Sequence, residues 1–76
     1  MKLQPITLRN NIKAFRTEKN ITQQELAEIV GVSSRTIISL EKEQYNPSVL
    51  LAHRLARFFD KYIEELFLFK EYEENG

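Results

Sequence analysis

Ser33, Ser34, Arg35, Thr36, Ser39 and Lys42 crowd into one short stretch of the chain, and Gln23 and Gln24 precede them by one helix length. These side chains donate and accept hydrogen bonds but carry no strong nucleophile. Arginine offers a planar fork of donors, and serine and threonine hydroxyls work in both directions. Ala, Glu or Lys would suit a helix better, because short polar side chains compete with the backbone for hydrogen bonds. Their concentration at one helix start points to bonding with something outside the chain. Catalytic chemistry lacks its parts. There is no cysteine and a single histidine, His53, with no carboxylate at i±4 and no serine nucleophile beside it. A metal site fails for want of ligands, no cofactor or small-molecule ligand is implied, and an enzyme is not expected.

The elements that must position these residues follow from apolar spacing. Leu8, Ile12 and Phe15 recur at i, i+4 and i+7, which predicts a first helix over 8–19 with Thr7 as its N-cap. Thr22-Gln23-Gln24-Glu25 fits a capping box. The second helix then buries Leu26, Ala27, Ile29 and Val30 and stops at Gly31, where a left-handed residue costs glycine little. A third helix starts from Ser33 as N-cap, turns Ile37 and Leu40 inward and runs to about 43. Tyr45-Asn46-Pro47 breaks it. A fourth helix follows Ser48, with Leu51, Leu55 and Phe59 inside and Ala52 and Ala56 beside them. Asp60 and Lys61 end it, and a short fifth helix covers about 63–67. The tail from Phe67 to Tyr72 is apolar and aromatic, as are Leu3, Pro5 and Ile6, so the two chain ends are expected to pair as a small two-stranded sheet.

Two helices joined by a turn of about three residues containing glycine form a helix-turn-helix. In that layout the first helix of the pair braces across a DNA backbone, and the second lies in the major groove with its N-terminal residues at the base edges. With Ile37 and Leu40 inward, Arg35, Ile38, Ser39 and Lys42 share an outer stripe, flanked by Ser34 and edged by Thr36. Expected base-reading residues are therefore Ser34, Arg35, Thr36, Ile38 and Ser39. Arg35 can bond guanine O6 and N7 together, worth roughly 1–3 kcal/mol of discrimination. Ile38 is either a contact to a thymine methyl or a singly exposed apolar side chain. Gln23, at a helix start where amides favour an anion, is expected at a phosphate, along with Ser33, Lys42, Tyr45 and Asn46.

The bulk numbers bound this reading. Seventy-six residues make one domain the expectation, with 8–67 as its core and the termini as a strand pair or dimer extension. Formal net charge is zero, which taken alone speaks against nucleic acid. The distribution differs: residues 1–57 hold nine Lys or Arg against five Glu, and residues 58–76 hold two Lys against six acids. A basic body with an acidic end suits a polyanion-facing surface. The chain has no apolar run long enough to span a membrane and no signal-like N-terminus, so a cytoplasmic location is expected.

Residues 9–67 resemble the xenobiotic-response-element family, the lambda-repressor and Cro-like helix-turn-helix proteins. The matching pieces are Thr22-Gln23-x-x-Leu26-Ala27, Gly31-Val32-Ser33, Thr36-Ile37, Glu41, Asn46-Pro47-Ser48, Leu55-Ala56 and Ile63-Glu64-Glu65-Leu66-Phe67. The resemblance implies an all-α five-helix bundle, DNA recognition by the third helix and usually a homodimer on a pseudo-palindromic operator, so a transcriptional regulator, a repressor, is expected. It also implies a partly buried ion pair between Arg16 and Glu41 that fixes the reading helix. The sequence departs from the family at Asp60, where glycine is frequent; at Tyr62, a poor N-cap; and at Ser34, where Arg or Gln is frequent. One helix reads few bases, so a partner is needed, and Leu50, Phe58, Tyr62, Phe67, Phe69 and Tyr72 are the apolar candidates for a dimer interface. The alternative is an interaction module or antitoxin-like partner that uses the same fold to hold a protein.

Overall fold

The computed structural model describes residues 6–71. Among them the order is β1 (Ile6–Asn10), α1 (Ile12–Glu18), α2 (Gln23–Val30), α3 (Ser34–Glu41), α4 (Val49–Phe59), α5 (Ile63–Leu66) and β2 (Phe67–Glu71). The local signals in the middle of the chain act as their chemistry dictates. The Thr22 hydroxyl accepts the Glu25 N–H at 3.0 Å, and the Glu25 carboxylate accepts the Thr22 N–H at 2.8 Å, which closes the capping box of α2. Ser33 and Ser48 cap α3 and α4 by accepting from Thr36 and Leu51. Gly31 ends α2 at φ 78°, and Asp60 ends α4 at φ 55°. Aspartate thus takes the left-handed turn that glycine would take more cheaply.

The buried face draws on every helix. Ile12, Leu26, Ile37, Leu40, Leu55 and Leu66 are fully enclosed, and Ala27, Val30, Leu51, Ala52, Phe59 and Phe67 close the core around them. Each fully buried Leu or Ile contributes about 1.5–3 kcal/mol relative to exposure. With no cysteine in the chain, this packing carries the fold. No helix among the described residues is long and apolar enough to cross a membrane.

The chain ends do pair. β1 and β2 form an antiparallel two-stranded sheet in which Leu8 faces Phe69, Arg9 faces Leu68 and Asn10 faces Phe67. This corrects the first helix, which starts at Ile12 and not at residue 8, so Thr7 is a strand residue and not its cap. Leu8 packs against the core from the strand, on the same side that a helical period would place it, so its spacing could not distinguish the two. The two asparagines that follow set the boundary. Asn11 donates its N–H to the Leu66 carbonyl and its side-chain amide to the Glu65 carbonyl, which ties the start of α1 to the end of α5.

Four further expectations are corrected. Ile29 is half exposed, because it falls at the edge of the α2 stripe whose centre is Leu26, Ala27 and Val30. α3 ends at Glu41, and Glu43 turns left-handed at φ 62°. α5 ends at Leu66. Phe67, expected at a dimer interface, is buried in this chain's own core, where the first residue of β2 points back under the bundle. Tyr72, Leu3 and Pro5 lie outside the described residues.

Candidate nucleic-acid interface

α2 and α3 meet at the Gly31 turn, where the Ala27 carbonyl accepts both the Gly31 and Val32 N–H groups at 2.8 and 3.0 Å. Ile37 and Leu40 anchor α3 to the core, which leaves the other side of the helix outward. Ser34, Arg35 and Lys42 are exposed, and Ile38 and Ser39 are half-buried beside them. Arg35 makes no hydrogen bond or ion pair within the described residues, so its fork of donors is free. Ser33 and Thr36 are partly occupied. Their hydroxyls bond each other at 3.0 Å while Ser33 also caps α3. Each hydroxyl keeps acceptor capacity. Tyr45 and Asn46 are exposed beyond the end of α3.

The far end of α3 is held by charge. Arg16 on α1 donates Nε to Glu41 Oε2 at 2.6 Å and an Nη to Glu41 Oε1 at 3.1 Å. Its remaining Nη donates to the Ile21 carbonyl at 2.8 Å. The two side chains are only 11% and 4% exposed. The Glu41 hydrogen bond, reinforced by its charge and opposed by burial, raises the Arg16 pKa above its ordinary value. The guanidinium is therefore a fixed cation in this fork-to-fork pair.

Gln23 joins the same network. Its side-chain amide donates to Glu41 Oε1 at 2.9 Å. One of its two amide hydrogens is thus committed inside the protein, and the other remains for an outside acceptor. Gln23, expected at a phosphate, is thus a donor aimed by Glu41 with one amide hydrogen left over. Arg16, Glu41 and Gln23 come together in space; Tyr45 and Asn46 stand apart, after the helix.

The apolar residues do not form one patch. Leu50 is exposed at the start of α4, and Tyr62 lies past its end. From Leu50 to the end of α4 at Phe59 the helix runs roughly 14 Å along its axis. Phe58 is half-buried, edge-on to Phe59 at 5.0 Å and covered by the Lys19 ammonium at 5.4 Å. Tyr62 and Phe69 are strongly exposed, and Leu68 and Val49, not singled out by pattern, are exposed as well. Tyr62 makes no cap bond with its side chain; the Glu65 carboxylate accepts its N–H at 2.8 Å and starts α5 instead. Sequence reasoning missed Asn10, which it placed inside a helix. Two consecutive asparagines ahead of Ile12 were the available signal, since asparagine favours helix starts over helix interiors.

Comparison with known proteins places this geometry. The helix-turn-helix family profile matches residues 12–66. An uncharacterized HTH-type transcriptional regulator of Archaeoglobus fulgidus is 52% identical over 66 residues, covering 87% of this chain and 93% of that protein. The cryptic phage CTXphi transcriptional repressor RstR of Vibrio cholerae is 32% identical over 57 residues, 75% of this chain and 51% of that protein. The crystal structure of the restriction-modification controller protein C.AhdI from Aeromonas hydrophila superposes with a TM-score of 0.66 at 27% identity, covering 72% of this chain and 80% of that one. With its capped α2, the Gly31 turn and an α3 locked at Glu41, the chain belongs to the XRE-type helix-turn-helix family of DNA-binding transcriptional regulators.

Proposed function

We propose that the protein is a sequence-specific repressor that binds double-stranded DNA as a homodimer in the cytoplasm, with α3 in the major groove of a pseudo-palindromic operator. The observation that carries this reading is the outward face of α3. It offers Ser34, Arg35, Thr36, Ile38 and Ser39 near its N-terminal half while Glu41 is locked to Arg16. Arg35 is the strongest base reader, because its whole guanidinium is unengaged. Gln23, Ser33, Lys42, Tyr45 and Asn46 contact phosphates, with Gln23 aimed by its bond to Glu41. Two copies place their reading helices about 34–36 Å apart, one turn of the duplex. The dimer face is the end of the molecule with Tyr62 and Phe69, whose rings are exposed on either side of α5. The acidic residues Glu64, Glu65 and Glu71 belong to that end, away from phosphates.

The test is duplex binding at two salt concentrations, with the DNA upstream of the protein's own gene and a random duplex, for wild type and Arg35→Ala. Preferential upstream binding that salt weakens steeply, and that Arg35→Ala reduces to the random level, supports base reading by α3. Binding to neither duplex at low salt refutes the proposal and turns attention to a protein partner.

A further inference from the structure

The C-terminal end of α3 is held from two directions. Glu41 runs to α1 and α2, as described. The other hold comes from β1. Asn10 donates its side-chain amide to the Leu40 carbonyl at 2.9 Å and its backbone N–H to Glu43 Oε2 at 3.0 Å. Its side-chain oxygen accepts the Ile12 N–H at 3.1 Å, so the ring of bonds also fixes the start of α1. Arg9 Nε lies 3.7 Å from the second Glu43 oxygen. The Leu40 carbonyl is one of the last four of its helix, which have no partner inside it. Two donors from outside the helix reach this carbonyl, the Glu43 N–H at 3.0 Å and the Asn10 amide.

Two features single out this contact. Glu43 adopts φ 62°, a left-handed conformation in which a side-chain-bearing residue is strained, and there its carboxylate meets both Asn10 and Arg9. Asn10 in turn stands opposite Phe67 in the sheet, and Phe67 is buried in the core. The position of Asn10 is therefore fixed by the pairing of the two chain ends.

We propose that Asn10 and Glu43 form a clamp through which the terminal sheet sets the pitch of the reading helix, so that base discrimination depends on the sheet being formed. The inference rests on the DNA-reading proposal above and assigns Asn10 and Glu43 as positioning residues. The lever explains why a second anchor matters. Arg35 lies six residues before Glu41, about 9 Å along the axis. A pivot of about 10° at the anchored end displaces Arg35 by about 1.5 Å, beyond the half-ångström window of a good hydrogen bond. Arg16 and Gln23 both hold the helix through the one side chain of Glu41; the Asn10 contact holds the Leu40 backbone from β1 and resists the pivot.

The experiment uses the full chain and a random duplex library. Wild-type protein selects its preferred duplex, and the ratio of affinities for the selected and random duplexes is then measured for wild type, Asn10→Asp and Glu43→Ala. Asn10→Asp keeps the acceptor for Ile12 but sets an oxygen against the Leu40 carbonyl. Partial unfolding lowers both affinities together, and the two variants change the net charge in opposite directions, so a ratio lowered in both reports altered presentation of α3 and not charge. The expected result is a ratio lowered about tenfold or more in both variants, the loss of one well-made base contact. An unchanged ratio in both variants overturns the clamp while the DNA reading stands. If wild type enriches no duplex, the DNA reading fails and the clamp with it.

Discussion

Replacing Arg16 with methionine keeps roughly the aliphatic stem and removes the whole guanidinium. Glu41 then sits 4% exposed with only the Gln23 amide, at 2.9 Å, as its side-chain partner. The Ile21 carbonyl also loses its donor. Breaking one side of a buried pair costs about 3–5 kcal/mol, mostly because the remaining charge is stranded. A chain of this length has a total stability of roughly 4–11 kcal/mol, so Arg16→Met removes a large share of it. In a domain of this size each kcal/mol moves the melting temperature by about 4–8 °C, so a drop of at least about 12 °C is expected. The double variant Arg16→Met/Glu41→Leu strands no charge, leaving only the Ile21 carbonyl and one Gln23 N–H without these partners, and recovers much of the loss. Thermal and urea unfolding of wild type, Arg16→Met, Glu41→Leu and the double variant, followed by circular dichroism, measure the cycle. The pair contributes little if Arg16→Met costs under about 1 kcal/mol, the value of an exposed pair. Additive single effects would likewise refute the coupling. The sign of any pH dependence is fixed. Arg16 is raised above its ordinary value in the folded state, so its contribution is complete below that value and is lost only as pH rises through the folded one. The difference between wild type and Arg16→Met is therefore flat, as far as this arginine is concerned, from neutral into the moderately alkaline range.

Two turns that adopt the same backbone should respond oppositely to the same kind of change. Gly31→Ala puts a Cβ at φ 78° and 3.1 Å from an Arg54 Nη, and it should destabilise by about 1–2 kcal/mol; Asp60→Gly relieves φ 55° and should stabilise by up to about 1 kcal/mol. Urea midpoints that move in the same direction would contradict the left-handed assignment at one of them. For the proposed dimer, Phe69→Ser removes an exposed ring and should weaken self-association at least about tenfold, the equivalent of about 1.4 kcal/mol, as measured by sedimentation equilibrium. An unchanged association constant would place the dimer face elsewhere.

What could be read in the sequence was local. Thr22, Ser33 and Ser48 cap helices because a hydroxyl three residues ahead of an amide needs nothing from the rest of the chain. Gly31 and Asp60 end helices for an equally local reason. The Asn10 contact is different: its partner, the Leu40 carbonyl, is 30 residues away, and no spacing along the chain encodes that meeting. Leu8 misled because a core-facing strand residue four places before Ile12 imitates a helical repeat. Phe67 misled because an aromatic near a chain end looks unpartnered until β2 is folded under the bundle. The Arg16–Glu41 pair came from family resemblance, and nothing in its separation of 25 residues would have singled it out.

The charge of the outward face of α3 shows most clearly why counting residues is not enough. In sequence, Glu41 and Glu43 flank Lys42 and follow Arg35, which suggests a locally cancelled surface. In the fold, Glu41 is turned inward to Arg16 and Gln23, and Glu43 is turned to Asn10 and Arg9. Each of these acids is spent on holding the helix. The two cations of α3 and its cap, Arg35 and Lys42, remain exposed. A phosphate backbone approaching α3 meets those cations within a Debye length of about 8–10 Å, while the carboxylate of Glu41 is already neutralised by the buried guanidinium. A chain with zero net charge can thus present a cationic edge to a polyanion, because the same side chains that cancel the total also fix the geometry of the surface that binds.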